Sequence, residues 1–400
     1  MRSHRLFYLA WISSMIIFTL SCADRIKSEK AGFGIDLVDS SNYSSQQVSV
    51  EIFKVKNEHF AYVAGETENM EIYSIDQTTG SLAFLEKYQV ANQWGGVRAL
   101  TNVNIKNNNF LVLGNKADNS LEVHKILDSG KVFRINAVYD SDTTFIDEIV
   151  TIHNIKIKDR NFIYAGGLDK GLSCFEISEN GDLHHIQSIE DDDALFIHGV
   201  IGMSSLVIDG KSYIITGAFF DGGISCFEIM ENGHLKHVSN VKDNNLLFLN
   251  GTFPVNTIQL GDQNYVLVGH RHNLHYATEN AEQEYHGDGI NVFKINGEGQ
   301  LNLHNTIKDT DKIRLKGSTR IEILKVNEKK AFVFIGSRDD KGVQICTFGE
   351  DGLLRPIKTL DLGYAIYNGM TLKKIDNKWY LLIGAYDKNV LEMYAINFTS

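Results

Sequence analysis

A repeat of about 50 residues is the feature of this sequence that most restricts its fold. The segment GLSCFEISENGDLHHI begins at Gly171, and GISCFEIMENGHLKHV begins 52 residues later at Gly223. A glycine ends a run of apolar, β-branched and aromatic residues in seven places: Gly65, Gly114, Gly166, Gly217, Gly269, Gly336 and Gly384. Repetition at this period is typical of proteins built from many copies of one supersecondary unit.

Each copy has the pattern of four short strands. The run that ends in glycine is followed by a polar turn, a run such as ISCFEI, a glycine-containing turn and a run such as GDLHHIQSI. One more run precedes the glycine, and no helical period competes with this alternation of strands and turns. Seven such copies predict an all-β protein, a seven-bladed β-propeller with four antiparallel strands in each blade.

The two ends of the repeat array predict how the ring closes. The last copy reaches Ser400 without a fourth strand, whereas FGIDLVDSS, from Phe33 to Ser41, is similar to the fourth strands of other copies. We therefore expect the N-terminal strand to complete the last blade, which removes an exposed sheet edge. Residues 33–400 then form a single propeller domain, which we expect to be monomeric.

The first 22 residues have the pattern of an export signal. MRSHR is a short cationic segment, and LFYLAWISSMIIFTL is an apolar run of 15 residues, a length that suits a signal peptide and is short for a membrane span. The stretch TLSC resembles a bacterial lipoprotein processing site, at which Cys22 would be lipidated. We expect a signal peptide over 1–22, a tether over 23–32, and a lipid-anchored protein of the cell envelope that faces the periplasm or the exterior. Ordinary cleavage and an uncleaved anchor are the alternatives.

Charge and cysteine content argue against two classes of protein. The formal net charge is -11 and the chain has no run of Lys and Arg, so we expect no nucleic-acid partner. Three cysteines besides Cys22 are too few for a disulfide scaffold. Cys174 and Cys226 occupy the same place in two copies, and we interpret them, with Cys346, as small buried hydrophobic residues.

Aspartates recur at two places in the repeat. One set lies in the turn between the second and third strands: Asp118, Asp169, Asp221, Asp288, Asp340 and Asp387. The other set follows the fourth strand: Asp39, Asp140, Asp191, Asp243, Asp309 and Asp361. Because strand directions alternate, both sets lie at one face of the ring. We interpret them as turn-capping residues that also make this face acidic, which favours cations and repels polyanions.

The fifth copy carries a long insert, residues 270–288, between its second and third strands. Imidazole and carboxylate groups, both plentiful in the insert, are ligands of zinc and serve in acid–base catalysis near neutral pH. We therefore name His272, His275 and His286 as candidate ligands of a divalent metal ion. Solvated loop histidines are the alternative, since their spacing matches no metal-binding motif.

A residue that occurs in a single copy is a candidate for function, because the fold does not require it. The residue before the first strand of each blade, at the mouth of the central channel, differs between copies, and two arginines at the same face also occur once. The candidate ligand-binding residues are Trp94, His198, Asn250, Arg271, Lys316 and Asn368, together with the cation Arg338. Ordinary loop residues are the alternative interpretation.

The spacing of the copies, a YVxVG-like run followed by DxGISVFxI and xGxL, resembles the seven-bladed propellers of the 6-phosphogluconolactonase-like (bacterial lactonase) group. The resemblance covers residues 33–400. It implies lactone hydrolysis at the channel mouth, where His198 and Arg338 would polarise the lactone carbonyl and orient water. The Pro-His pair that such blades usually carry is missing here, and His198-Gly199 is its nearest counterpart.

Two functional hypotheses follow. The first is an exported, lipid-anchored binding module that recognises a protein, a glycan or a small ligand at its acidic channel face. The second is a lactonase-like hydrolase that acts on a sugar-acid or related lactone at the same face. The sequence has no G-x-S-x-G nucleophile motif and no phosphate-binding glycine loop, which favours the first hypothesis.

Overall fold

The computed structural model describes residues 32–43, 46–91, 95–192, 194–244, 246–271 and 288–399. These residues form seven sheets, each of four antiparallel strands. The arrangement confirms the predicted all-β, seven-bladed β-propeller. Within the described part of the chain, no helix has the length and apolar character needed to cross a membrane.

The strands of the first four blades follow one another from the inner to the outer edge of each sheet. Blades 1 and 2 contain β2 (Gln47–Val55), β3 (Glu58–Gly65), β4 (Asn69–Ile75) and β5 (Leu82–Gln89), then β6 (Val97–Ile105), β7 (Asn108–Asn115), β8 (Ser120–Ile126) and β9 (Val132–Tyr139). Blades 3 and 4 contain β10 (Ile149–Ile157), β11 (Arg160–Gly167), β12 (Gly171–Ile177) and β13 (Leu183–Glu190), then β14 (Val200–Ile208), β15 (Lys211–Ala218), β16 (Gly223–Ile229) and β17 (Leu235–Lys242).

The remaining blades keep this order, except that the last one combines both ends of the ring. Blades 5 and 6 contain β18 (Thr252–Leu260), β19 (Gln263–His270), β20 (Gly289–Ile295) and β21 (Leu301–Lys308), then β22 (Ser318–Asn327), β23 (Lys330–Ser337), β24 (Gly342–Gly349) and β25 (Leu354–Asp361). Blade 7 contains β26 (Met370–Ile375), β27 (Lys378–Gly384), β28 (Val390–Thr399) and β1 (Gly32–Asn42).

The N-terminal strand closes the ring, as predicted. Strand β1 is the outer strand of blade 7 and pairs antiparallel with β28, from Gly32 opposite Thr399 to Asn42 opposite Val390. Its span exceeds the predicted Phe33–Ser41 by one residue at each end. The outer edge of blade 7 is therefore formed by the opposite end of the domain, so the ring is held together by backbone hydrogen bonds.

The hydrophobic core lies between the blades. In strand β11, seven of the eight residues are buried, because each sheet is covered on both faces by its neighbours. One core cluster joins Val112 and Leu121 of blade 2 to Ile163 and Phe175 of blade 3. Because such a cluster contains residues of two blades, each of these blades needs its neighbour to bury its apolar face.

A tyrosine on the second strand links several blades to the next one. The Tyr164 hydroxyl of blade 3 donates a hydrogen bond to the carbonyl of Gly233 in the outer turn of blade 4, over 2.9 Å. Gly233 has φ +87°, and a Cβ there would overlap the Phe162 ring. The glycine in the repeated outer turn is thus needed both for the turn and for close packing between blades.

Candidate functional site

The inner strands of the seven blades surround a central cavity of about 320 Å³. One residue from each inner strand occupies an equivalent position in the pairing with the second strand. The seven residues of this layer are Glu51, Thr101, His153, Ser204, Asn256, Glu322 and Thr371. Six of them line the cavity directly, so its wall is largely polar.

Arg320 and its polar partners form a charged group on one side of the cavity. The Arg320 guanidinium contacts the Glu322 carboxylate at 2.7 Å, the Asn368 Oδ1 atom at 3.2 Å and the Glu51 carboxylate at 3.7 Å. Burial raises the pKa of Glu51 to about 7, against the opposing effect of Arg320. At neutral pH, Glu51 therefore exchanges a proton readily. Burial raises the pKa of Glu322 as well, and the charge of Arg320 opposes that effect.

His153, on the opposite side of the layer, is neutral at physiological pH. Burial lowers its pKa to about 4, and its Nε2 atom shares a hydrogen bond of 2.7 Å with the Ser205 hydroxyl. The cavity thus contains one neutral imidazole, one permanent cation and two carboxyl groups.

Tyr367 lies across the mouth of the cavity at the acidic face. It precedes the inner strand of blade 7, yet its ring is 5.4 Å from the Phe253 ring of blade 5 and 5.6 Å from the Arg98 guanidinium of blade 2. It also stacks on Tyr386 of its own blade, with ring centroids 5.1 Å apart. A side chain that contacts blades 2, 5 and 7 lies close to the ring axis, so Tyr367 covers the channel.

Apolar side chains complete this cover on the side of blades 3, 4 and 5. Val150, Ile201, Phe219 and Phe253 form one buried cluster, against which Tyr367 packs. On the side of blade 2, Arg98 forms an ion pair with Glu66, which also accepts a hydrogen bond of 3.2 Å from the Tyr386 hydroxyl. The mouth therefore has an aromatic centre with arginines beside it.

Arg271 is the second arginine that contacts Tyr367. Its guanidinium lies 5.4 Å from the ring centroid and donates a hydrogen bond of 3.3 Å to the Tyr367 hydroxyl. Burial lowers the pKa of Arg271, the charge of Arg338 lowers it further, and Asp339 opposes these effects. The Arg271 guanidinium, partly desolvated and within range of the Arg338 charge, is a local positive site on a protein of net charge -11.

His198 lies at the rim, between two aspartates. Single ligating atoms of Asp191, His198 and Asp221 lie within 4.8 Å of one another, and each residue is partly exposed. Burial and the Asp221 charge raise the pKa of Asp191 to about 6, and burial raises the pKa of Asp221. The His198 ring packs on Phe220, with centroids 4.7 Å apart.

The repeated aspartates cap turns, as predicted. After the fourth strand, Asp140, Asp191, Asp243 and Asp309 each accept a hydrogen bond from the backbone amide six residues later. In the turn between the second and third strands, Asp221, Asp340 and Asp387 accept from the backbone amides of His198, Lys316 and Ala365. The face is acidic at its rim, whereas its centre is positive.

The predicted site residues do not form one cluster. Asn368 joins the charged group of the cavity, and Arg271 and Arg338 lie at the mouth. Asn250 is buried, and its carbonyl accepts a hydrogen bond from His270, whereas the Lys316 side chain is exposed. His198 contacts Phe220 and lies beside the two rim aspartates, whereas the charge of Arg338 acts on Arg271. Three predictions concern positions outside the described residues: Trp94, the lipid anchor at Cys22, and the insert histidines His272, His275 and His286.

Several residues of the site were not predicted from the sequence. Arg98, Arg320 and Glu51 lie in inner strands, and Tyr367 lies just before one. The single-copy rule points to Arg320, since its equivalents in other inner strands are small residues such as Ser49 and Gly202. Tyr367 carries no such signal, because its importance depends on contacts between distant blades.

The comparisons with known proteins support the fold. No protein-family model and no curated protein matches this chain. A solved structure of a Lactobacillus plantarum protein is 14% identical, with a TM-score of 0.59, and the match covers 79% of this chain and 84% of that one. The periplasmic gluconolactonase PpgL of Pseudomonas aeruginosa is 11% identical, with a TM-score of 0.57 and coverage of 76% and 82%.

A third solved structure belongs to a much longer chain, of which this protein matches only a part. Raptor from Chaetomium thermophilum is 13% identical, with a TM-score of 0.60, and the match covers 92% of this chain but only 29% of Raptor. At these identities, the similarities show that the chain shares the seven-bladed propeller fold and say nothing further about its activity.

Proposed function

We propose that this chain is a binding module that holds a small anionic ligand at the mouth of its central channel. The observation that carries the proposal is the Arg271 guanidinium, which lies over the Tyr367 ring and within range of the Arg338 charge. Within the described residues no carboxylate forms an ion pair with Arg271, whereas Arg98 is paired with Glu66. Guanidinium groups bind carboxylate and phosphate groups through paired hydrogen bonds, and partial desolvation strengthens that interaction.

The rest of the mouth suggests the form of the ligand. Tyr367 and Phe253 offer ring faces and edges next to the arginines, which suits a ligand with a carbon skeleton or a sugar ring. The rim aspartates repel polyanions, so the ligand is expected to be small and to carry one anionic group. A sugar acid has these properties.

The proposal includes the cellular context predicted from the N-terminal sequence. The cationic start, the apolar run and Cys22 support export and lipid anchoring, so the propeller would meet its ligand at the cell envelope. Detergent partitioning of the wild type and of Cys22→Ser tests this part separately. Loss of partitioning in the variant supports the anchor, and equal behaviour contradicts it.

Titration calorimetry with gluconate tests the ligand class, with glucose as the neutral control. Arg271→Gln and Arg338→Gln should each weaken gluconate binding at least tenfold, because each removes one guanidinium from the anion. The control Arg314→Gln removes an arginine that is paired with Asp361 and should leave affinity unchanged. Equal binding of glucose and gluconate, or unchanged affinity in Arg271→Gln, would contradict the proposal.

Lactone hydrolysis is the second candidate, and one observation favours it. His198 lies between Asp191 and Asp221, so its imidazole is positioned to accept a proton from water. Opening a sugar lactone produces a sugar acid, which is the anion that the two arginines would hold. Release of acid from glucono-lactone above the buffer rate, abolished in His198→Asn, would support this activity, and turnover that survives the substitution would contradict the role of His198.

A further inference from the structure

The rim cluster of Asp191, His198 and Asp221 has the composition of a metal site. One ligating atom from each residue lies within 4.8 Å of the other two, and the His198 Nδ1 atom is 4.0 Å from Asp221 Oδ1. Ligands of tetrahedral zinc, with bonds of about 2.0–2.1 Å, lie roughly 3.3 Å apart. A contraction of up to about 1.5 Å between ligating atoms, within the reach of side-chain rotation, would bring the three groups onto one ion.

The backbone holds the three groups in place. Asp191 Oδ1 accepts a hydrogen bond of 3.2 Å from the Ile197 amide, and Asp221 Oδ2 accepts one of 2.7 Å from the His198 amide. The His198 ring is supported by Phe220. Each carboxylate thus uses one oxygen to fix its own orientation, which is the kind of outer-shell support that metal ligands require.

A comparison between blades distinguishes this cluster from the aspartates that cap turns in other copies. Blade 6 has the same carboxylate pair, Asp309 and Asp340, at the equivalent place, with Lys316 where blade 4 has His198. The two carboxylates of blade 6 are close enough for a hydrogen bond between their side chains. Only the histidine is new in blade 4, and it adds a nitrogen ligand to an existing pair of oxygen ligands.

We propose that Asp191, His198 and Asp221 bind a divalent transition-metal ion of the Zn²⁺ type. One imidazole and two carboxylates favour such an ion over Ca²⁺ or Mg²⁺, which prefer sites made only of oxygen. Three protein ligands leave at least one position for water or for a ligand atom. The charges of Lys170 and Lys242 favour the ionised form of Asp221, although they also compete with the metal for it.

Titration calorimetry of the full chain with Zn²⁺ at pH 7.5 tests the site. The parent protein for the test carries His272→Ala, His275→Ala and His286→Ala, so that the insert histidines do not contribute. We expect one Zn²⁺ site, with affinity reduced at least tenfold in His198→Asn and in Asp191→Asn. Both variants are compatible with the fold, because blade 5 carries Asn250 at the position of His198, and the amide that replaces the Asp191 carboxylate keeps an oxygen for the Ile197 backbone amide.

Two further variants sharpen the result. His185→Asn removes an exposed histidine of blade 3 and should not change Zn²⁺ binding. Lys316→His creates the same set of groups in blade 6 and should raise the stoichiometry from one ion to two. Absence of Zn²⁺ binding in the parent protein, unchanged affinity in His198→Asn, or a stoichiometry that stays at one in Lys316→His would overturn the proposal.

Discussion

Closure of the ring by strand β1 predicts that one buried side chain near the N-terminus controls the stability of the whole domain. Ile35 is 6% exposed and lies in a core cluster with residues of blades 6 and 7, among them Leu324 and Ile396. Ile35→Ala removes three carbon atoms, which at about 0.8 kcal/mol each corresponds to about 2.4 kcal/mol of lost transfer free energy. The cavity left behind raises the expected loss to about 2–4 kcal/mol in the free energy of unfolding.

Urea denaturation followed by tryptophan fluorescence measures this loss. Trp379 is a suitable probe, because it lies opposite Ile396, the residue that pairs with Ile35 on the other side of β28. The matched control is Leu37→Ala, two residues further along β1, where the side chain is 52% exposed. We expect the Ile35 variant to unfold at a clearly lower urea concentration and the Leu37 variant to change by less than about 1 kcal/mol.

If Ile35→Ala and Leu37→Ala unfold at the same urea concentration as the wild type, β1 adds nothing to the stability of the ring. Deletion of residues 31–46 extends the test, because it removes the backbone pairing between β1 and β28 and exposes a sheet edge. A deletion variant with the wild-type melting temperature would likewise refute closure by β1.

Three further predictions concern the scaffold. Gly96→Ala should cost at least about 3 kcal/mol, because Gly96 has φ +53° and a Cβ would overlap the Gly65 carbonyl; Gly210→Ala, with positive φ but nothing within 4 Å, should cost only about 1 kcal/mol by urea denaturation, and equal losses would contradict this. Burial raises the pKa of Glu122, but hydrogen bonds with His124 and Asn115 and the charge of Arg134 outweigh burial, so that the pKa is lowered. The stabilising contribution of its ionised form is present above pH 4.5 and is lost as pH falls through the lowered pKa, so Glu122→Gln should flatten the acid side of the stability–pH curve, and an unchanged curve would contradict this. Burial raises the pKa of Cys174, Cys226 and Cys346 to about 12, so these three thiols should resist a thiol reagent in the native state and react only after unfolding; rapid modification of the native protein would be the opposite result.

Much of the fold could be predicted because the repeat contains local signals. In blade 3, an apolar run before Gly166 indicates a strand, Asp169 a turn, and the run from Gly171 the next strand. Each of these signals depends on a few neighbouring residues, and the pattern recurs in seven copies. The role of Phe33–Ser41 could be predicted as well, since the last copy lacked a strand of that pattern. Because the same pattern recurs in seven copies, an ambiguous residue in one copy is resolved by the others.

The candidate site was predicted only in part. Comparison between copies identified Arg271, Arg338 and Asn368, all of which lie at the mouth or in the cavity. The resemblance to lactonase-type propellers paired His198 with Arg338 for catalysis. The structure places His198 beside Asp191 and Asp221, and the Arg338 charge acts on Arg271. Residues of different blades become neighbours at the ring axis although they are far apart in the chain, and the repeat pattern does not show which of them meet.

The sequence by itself determined the unit and its number, because hydrophobic alternation, turn residues and glycines act within a single blade. The tertiary structure decided what the centre of the ring contains. Tyr367 covers the channel only because residues of blades 2, 5 and 7 converge on it, and Glu51 has a raised pKa only because burial near the axis outweighs the charge of Arg320. Local pattern depends on neighbours in the chain, whereas desolvation and contact across the axis depend on the closed ring.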